Sequence, residues 1–191
     1  RCLGIDALSA FVQAAREKAR ESGVEPLCRF EQGDVRLGIH ELGGFDVIVL
    51  GAIGPVFGDI RATLAILAPH LRRGGIIVLD DGWIADDGPE EHPPVLRRGE
   101  LLRQVAAAGM LIAEEAVFGS REIAAADDAI FRRLERRCAE LAARYPEQRE
   151  LFGRYVRRQA EENDWLENRI TCAVLVIKPI GDGRPWTARQ G

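Results

Sequence analysis

Asp6 and Asp34 are the residues of this chain best placed to do chemistry. Asp6 closes the short run Cys2-Leu3-Gly4-Ile5, and Asp34 follows Gly33 just after Leu27-Cys28-Arg29-Phe30-Glu31, which alternates at period two. A carboxylate at the carboxyl end of a strand in an open α/β sheet lies on the edge where ligands collect, and there it accepts hydrogen bonds from ribose hydroxyls. One nucleoside could lie across both acids. Each acid also has a purely structural reading: Asp6 as a helix-start carboxylate near Ser9, favoured by the helix dipole by about 0.3–1 kcal/mol, and Asp34 as a turn acid. A second pair, Asp80-Asp81, follows Ile76-Ile77-Val78-Leu79. It could supply a base or orient a substrate, or it could simply end a strand in solvent. His92, in the acid- and proline-rich loop 86–94, is of the one type that titrates near neutrality.

Other reactive groups are scattered. Cys2, Cys28, Cys138 and Cys172 form no Cys-x-x-Cys pair, and His40, His70 and His92 stand far from them, so no metal-ligand spacing is present and no metal is expected. The thiols read as reduced, buried small hydrophobes of a cytoplasmic protein. Net charge is −4, pI is about 5.5, and Lys18 and Lys178 are the only lysines. Nucleic acid is therefore not an expected partner. No apolar run approaches the roughly 20 residues of a membrane-spanning helix, so no membrane partner is expected either. The 191 residues suit a single domain. The chain starts on Arg1 with no signal-like segment, and we expect it to be a truncated domain whose N-terminal part is missing.

The elements that must position these residues alternate between strand and helix. Phe11, Val12, Ala15 and Ala19 recur at helical spacing from a Ser9 cap to Gly23. Phe45-Asp46-Val47-Ile48-Val49-Leu50 is a run suited to a strand buried on both faces of a parallel sheet. Asp59 caps a helix carrying Ile60, Leu64, Leu67 and Leu71; Gly74-Gly75 turns the chain into the strand 76–79, which ends at Asp80-Asp81. Leu101, Leu102, Val105 and Ala108 predict a helix, 110–118 a strand, and 35–43 at most a very short helix. Residues 119–168 then show helical periodicity without a strand, with stripes Ile130, Leu134, Cys138, Leu141, Tyr145 and Leu151, Tyr155, Gln159 on either side of Pro146. We expect a helical hairpin there, with arginines and glutamates paired along solvated faces. Residues 170–177 form the final strand. Together these predict an α/β fold with a mostly parallel sheet.

This order resembles the class I S-adenosylmethionine-dependent methyltransferases. Gly4-Ile5-Asp6 with the helix after it is similar to the family's second-strand segment, whose acid binds the cofactor ribose. Glu31-Gln32-Gly33-Asp34-Val35 is similar to the segment after the third strand, whose Asp contacts the adenine amino group. Phe45 to Gly51 resembles the fourth strand, and Leu71-Arg72-Arg73-Gly74-Gly75-Ile76-Ile77-Val78 the approach to the fifth. The resemblance implies a Rossmann-like methyltransferase sheet whose last strand is antiparallel, with the helical hairpin inserted before that strand. It assigns cofactor contacts to Asp6, Ala7, Asp34, Val35 and Gly51, with S-adenosylmethionine as cofactor. Asp80, Asp81 and His92 are the catalytic candidates.

Methyl transfer asks a protein mainly to bind, orient and exclude water, because the sulfonium already carries an activated methyl group. The loop Gly51-Ala52-Ile53-Gly54-Pro55-Val56-Phe57 lacks the Asn-Pro-Pro-Tyr type of sequence that accompanies nitrogen methylation of bases in the family. A small-molecule acceptor is therefore expected. The family's first strand and its Gly-x-Gly-x-Gly turn are also absent. By resemblance that strand is central, so the sheet must split, close up, or borrow a strand. Two other readings compete: a non-catalytic methyltransferase-like domain that forms a homodimer through the hairpin, and a dinucleotide-dependent oxidoreductase, which an antiparallel last strand would count against.

Overall fold

The computed structural model describes residues 1–88 and 95–181. In chain order the elements are β1 (Cys2–Asp6), α1 (Ser9–Glu21), β2 (Cys28–Gln32), α2 (Val35–Gly38), β3 (Phe45–Gly51), α3 (Ile60–Leu67), β4 (Leu71–Trp83), α4 (Arg98–Ala107), β5 (Met110–Val117), α5 (Ser120–Arg144), α6 (Arg149–Asn168) and β6 (Thr171–Pro179). The strand–helix alternation and the hairpin thus follow the sequence pattern. Ser9 is the first helical residue rather than the cap, and Leu8 holds the cap position. Asp59 caps α3 as expected, its side chain accepting from the Ala62 amide at 2.7 Å. Residues 35–43 form only the single turn α2 and a 3-10 turn at Ile39–Glu41.

The strands make two sheets. β1 and β2 pair in parallel, from Cys2 opposite Cys28 to Asp6 opposite Gln32, and α1 packs on them through Val12 and Ala19. The larger sheet has the order β3-β4-β6-β5; β3 and β4 run parallel, and β6 lies antiparallel between β4 and β5. Of the outcomes open to a sheet without a central strand, splitting is the one observed. Among the described residues β1 and β3 are free edges, and Val47 and Val49 on β3 are 47% and 67% exposed.

One face of the larger sheet carries the core. Ala173, Leu175 and Ile177 of β6 are fully buried at period two, against Leu64 and Leu67 of α3 and Leu101 and Val105 of α4. β4 continues beyond the predicted end at Asp80-Asp81, because β6 pairs with it as far as Trp83 opposite Thr171. Both acids therefore lie inside a strand. The expectation of buried thiols holds for Cys138 alone; Cys28 and Cys172 are half-buried and Cys2 is exposed. The helices α5 and α6 pack chiefly on each other, joined by a 3-10 turn that starts at Pro146. No helix among the described residues is long and apolar enough to cross a membrane.

The two faces of this sheet should respond very differently to truncation. Leu175→Ala is expected to cost about 2–5 kcal/mol, as for a buried leucine, while Val49→Ala should stay within about 0.5 kcal/mol. Urea denaturation of both variants checks this; equal losses would mean that β3 is covered.

Candidate functional site

The ends of β1 and β2 bring Asp6 and Asp34 to one edge. Adjacent parallel strands lie about 4.8 Å apart, with Asp6 opposite Gln32 and Asp34 two residues further on. The Asp6 Oδ1 accepts from the Leu8 amide at 2.7 Å, a bond that shapes the approach to α1 without capping its first turn; Oδ2 accepts no hydrogen bond among the described residues. The Gln32 side-chain amide donates to the Ala7 carbonyl at 3.2 Å and ties the two strand ends together. Asp34 caps α2 and is more heavily engaged. It accepts from the Arg36 backbone amide at 2.9 Å, and the Arg36 guanidinium grips both carboxylate oxygens, with its closest contact at 2.6 Å. Those side-chain and backbone bonds from Arg36 hold the Asp34 carboxyl below its ordinary 3.8. Its neighbour Val35 starts α2.

At the carboxyl end of the larger sheet, Gly51 and Asp80 are register partners on β3 and β4, and the Ala52 amide donates to the Asp80 carbonyl at 3.3 Å. The chain then leaves through left-handed backbone at Ala52, with φ 49°, and at Gly54, with φ 65°. A non-glycine residue in that region costs free energy and recurs at ligand-binding turns. Asp81 keeps a solvent-facing side, yet crowding around it is the largest influence on its carboxyl and pushes it above 3.8, against a short bond from the Gly82 amide at 2.7 Å.

Asp127 on α5 joins this group, although its sequence context did not single it out. Its Oδ2 is buried without a hydrogen-bond partner among the described residues, and burial raises its carboxyl. Burial also raises the Cys172 thiol, which lies opposite Gly82, and the charges of Asp127, Asp80 and Asp81 add to the effect. The available signal was Ile123, Asp127 and Phe131, which recur at i, i+4 and i+8 with an acid among apolar neighbours. His92 lies outside the described residues. Tyr155 is half-exposed on the hairpin.

The two split sheets, the α3/α4 layer and the antiparallel final strand define a Rossmann-like sheet in two parts, and the fold is that of the class I S-adenosylmethionine-dependent methyltransferases. Solved structures carry the comparison. The chain superposes on a methyltransferase from Geobacter sulfurreducens in complex with S-adenosyl-L-homocysteine (TM-score 0.70, 19% identity, 93% of this chain and 74% of that one). It matches another from Thiobacillus denitrificans in complex with the same molecule (TM-score 0.73, 18% identity, 93% and 75%). In sequence it is 31% identical over 86 residues to a Bacillus subtilis (strain 168) protein, the uncharacterized methyltransferase YcgJ. That match covers 45% of this chain and 34% of the relative, so the aligned part spans about a third of its length. No protein-family model matches the chain.

The two carboxylates should titrate on opposite sides of 3.8. In a carbon-detected NMR titration Asp34 is expected below it and Asp81 above it, and Arg36→Ala should return Asp34 towards the ordinary value. The stability signs differ accordingly. Asp34 contributes stability above its ordinary value and loses it as pH falls through its lowered folded value, whereas folding favours protonated Asp81, so its contribution declines as pH rises through its raised value.

Proposed function

We propose that the chain is the larger part of an enzyme that transfers a methyl group from S-adenosylmethionine to a small molecule by direct displacement. The observation that carries this reading is the convergence of Asp6 and Asp34 on the carboxyl edge of adjacent parallel strands, within a methyltransferase fold. Its nucleoside half fits these residues. Asp6 has an uncommitted Oδ2 for ribose hydroxyls, beside Ala7, while Asp34 and Val35 flank the adenine position once Arg36 shares or yields the carboxylate. When bound, the cofactor supplies a methyl group already activated by a sulfonium.

The chain's own residues then hold and orient. The left-handed turn after Gly51 borders the methyl-transfer position, and Asp80 beside it orients the acceptor. Asp81, whose raised carboxyl makes it a stronger base than an ordinary aspartate, takes a proton where the acceptor must lose one. The acidic group of Asp80, Asp81 and Asp127 would repel a polyanion, which supports a small acceptor over nucleic acid.

A further strand and helix belong between β1 and β3. The two free edges and the exposed Val47 and Val49 support this, as does the shortfall against the solved structures. A βα unit of about 30 residues or more fills such a gap. It would bring the glycine-rich turn that the amino-acid end of the cofactor requires.

Calorimetry on the protein extended by about forty residues of its own upstream coding sequence tests the reading. S-adenosyl-L-homocysteine should bind, and Asp6→Ala should weaken binding by about 10–100-fold, the loss of a charge-assisted hydrogen bond. Absence of binding by the extended protein would overturn the assignment.

A further inference from the structure

The hairpin is underpacked as a separate unit. Across the 25 residues of α5 and the 20 of α6 only Cys138 is buried, and α6 buries none. An apolar trough of about 530 Å³ opens between the helices, lined by Leu134, Leu141, Leu151, Phe152 and Tyr155 with Arg137 at its edge. Leu151 and Tyr155 are 52% and 53% exposed, and Ile130, one turn before Leu134, is 64% exposed. A two-helix unit gains its stability from burying an apolar face, and here that face has no cover among the described residues.

The charge on the hairpin identifies what fits it. The half towards the tip, residues 130–158, holds nine arginines and four glutamates, net +5. The half towards the sheet, residues 120–129 and 159–168, holds one arginine and seven acids, net −6. The local ion pairs Arg132–Asp128, Arg154–Glu150 and Arg158–Glu162 are highly exposed and leave this polarity in place. Two such hairpins laid antiparallel about a two-fold axis set each basic tip on the other's acidic root; laid parallel, they set like charge on like. The apolar stripe continues towards the root as Ile123, Ala126 and Ile130 on α5, so the antiparallel arrangement also gives each trough an apolar, small-residue surface to meet.

We propose that the hairpin is a homodimerisation arm, which pairs with the hairpin of a second copy in an antiparallel, two-fold four-helix arrangement. Helices of these lengths extend about 30–37 Å, and two side by side offer about 600 Å² in projection, close to the roughly 800 Å² per partner of a stable interface. The inference does not depend on the methyl-transfer reading, since it rests on the hairpin alone.

Sedimentation velocity on the full chain tests it. The wild type should be dimeric at micromolar concentration, and its dissociation constant should rise with salt. A tip-reversed variant (Arg132→Glu, Arg133→Glu, Arg136→Glu, Arg137→Glu) and a root-reversed variant (Asp128→Lys, Glu161→Lys, Glu162→Lys, Asp164→Lys) should each self-associate at least about 100-fold more weakly, because like charges then oppose. All eight positions are exposed, and circular dichroism should find both variants folded. Mixed in equal amounts, the two should form a heterodimer. A monomeric wild type, variants that still dimerise, or a mixture that stays monomeric would overturn the proposal. So would a monomeric wild type that instead shifts a labelled single-stranded DNA through its basic tip.

Discussion

The ladder between β4 and β6 is the interaction on which the rest of this molecule depends. It runs from Ile77 opposite Ile177 to Trp83 opposite Thr171, and along one of its faces Ile77, Ala173, Leu175 and Ile177 are fully buried. A strand inserted antiparallel between two parallel neighbours satisfies both of its edges, so its backbone groups are paired while its side chains fill the core. The ladder tolerates little at Gly82, where an added Cβ would stand 2.5 Å from the Ile170 Cγ2 and 3.1 Å from the Thr171 carbonyl. Because β3 stops at Gly51 opposite Asp80, β4 and β6 extend past it and carry Asp80, Asp81 and Cys172 to the carboxyl edge. The same extension anchors the hairpin: the Phe118 amide donates to Cys172, and α6 runs directly into β6.

The other half of the candidate site stands on much weaker support. Among the described residues β1 and β2 pack chiefly on each other and on α1, and two strands with one helix bury little apolar surface. Their local bonds compensate in part: Asp6 to Leu8, Gln32 to Ala7 and Asp34 to Arg36 all pin strand ends rather than strand middles. Those pins fix two acids at one edge of the paired strands, where each does structural work. The structural and functional readings of Asp6 and Asp34 are therefore not exclusive, since a carboxylate offers several acceptor positions and a helix start uses only some of them.

Much of this was legible in the residues. The runs 45–50 and 170–177 are β-branched and uninterrupted, and the 119–168 segment carries two helical stripes broken by a proline, so strand and hairpin followed from periodicity. The length of β4 was not legible, because two adjacent acids and a glycine signal a strand end, and only the partner strand β6, ninety residues on, overrides that signal. Asp127 was hidden for a related reason. It lies in an alanine-rich helix start, and what makes it notable is a buried oxygen with no hydrogen-bond partner among the described residues and a charge that acts on Cys172, 45 positions away in sequence.

The sequence by itself determined the alternation of elements, the acids at the first two strand ends, the short turn at 35–43 and the polarity of the hairpin, because each depends on neighbours within a few residues. Tertiary structure alone decided that the sheet splits rather than closes, that Asp80 and Asp81 lie inside a strand, and that the charges of three acids from two elements act on one thiol. Those outcomes depend on which edges find hydrogen-bond partners and which faces find cover, and both are set by chain segments far apart in sequence.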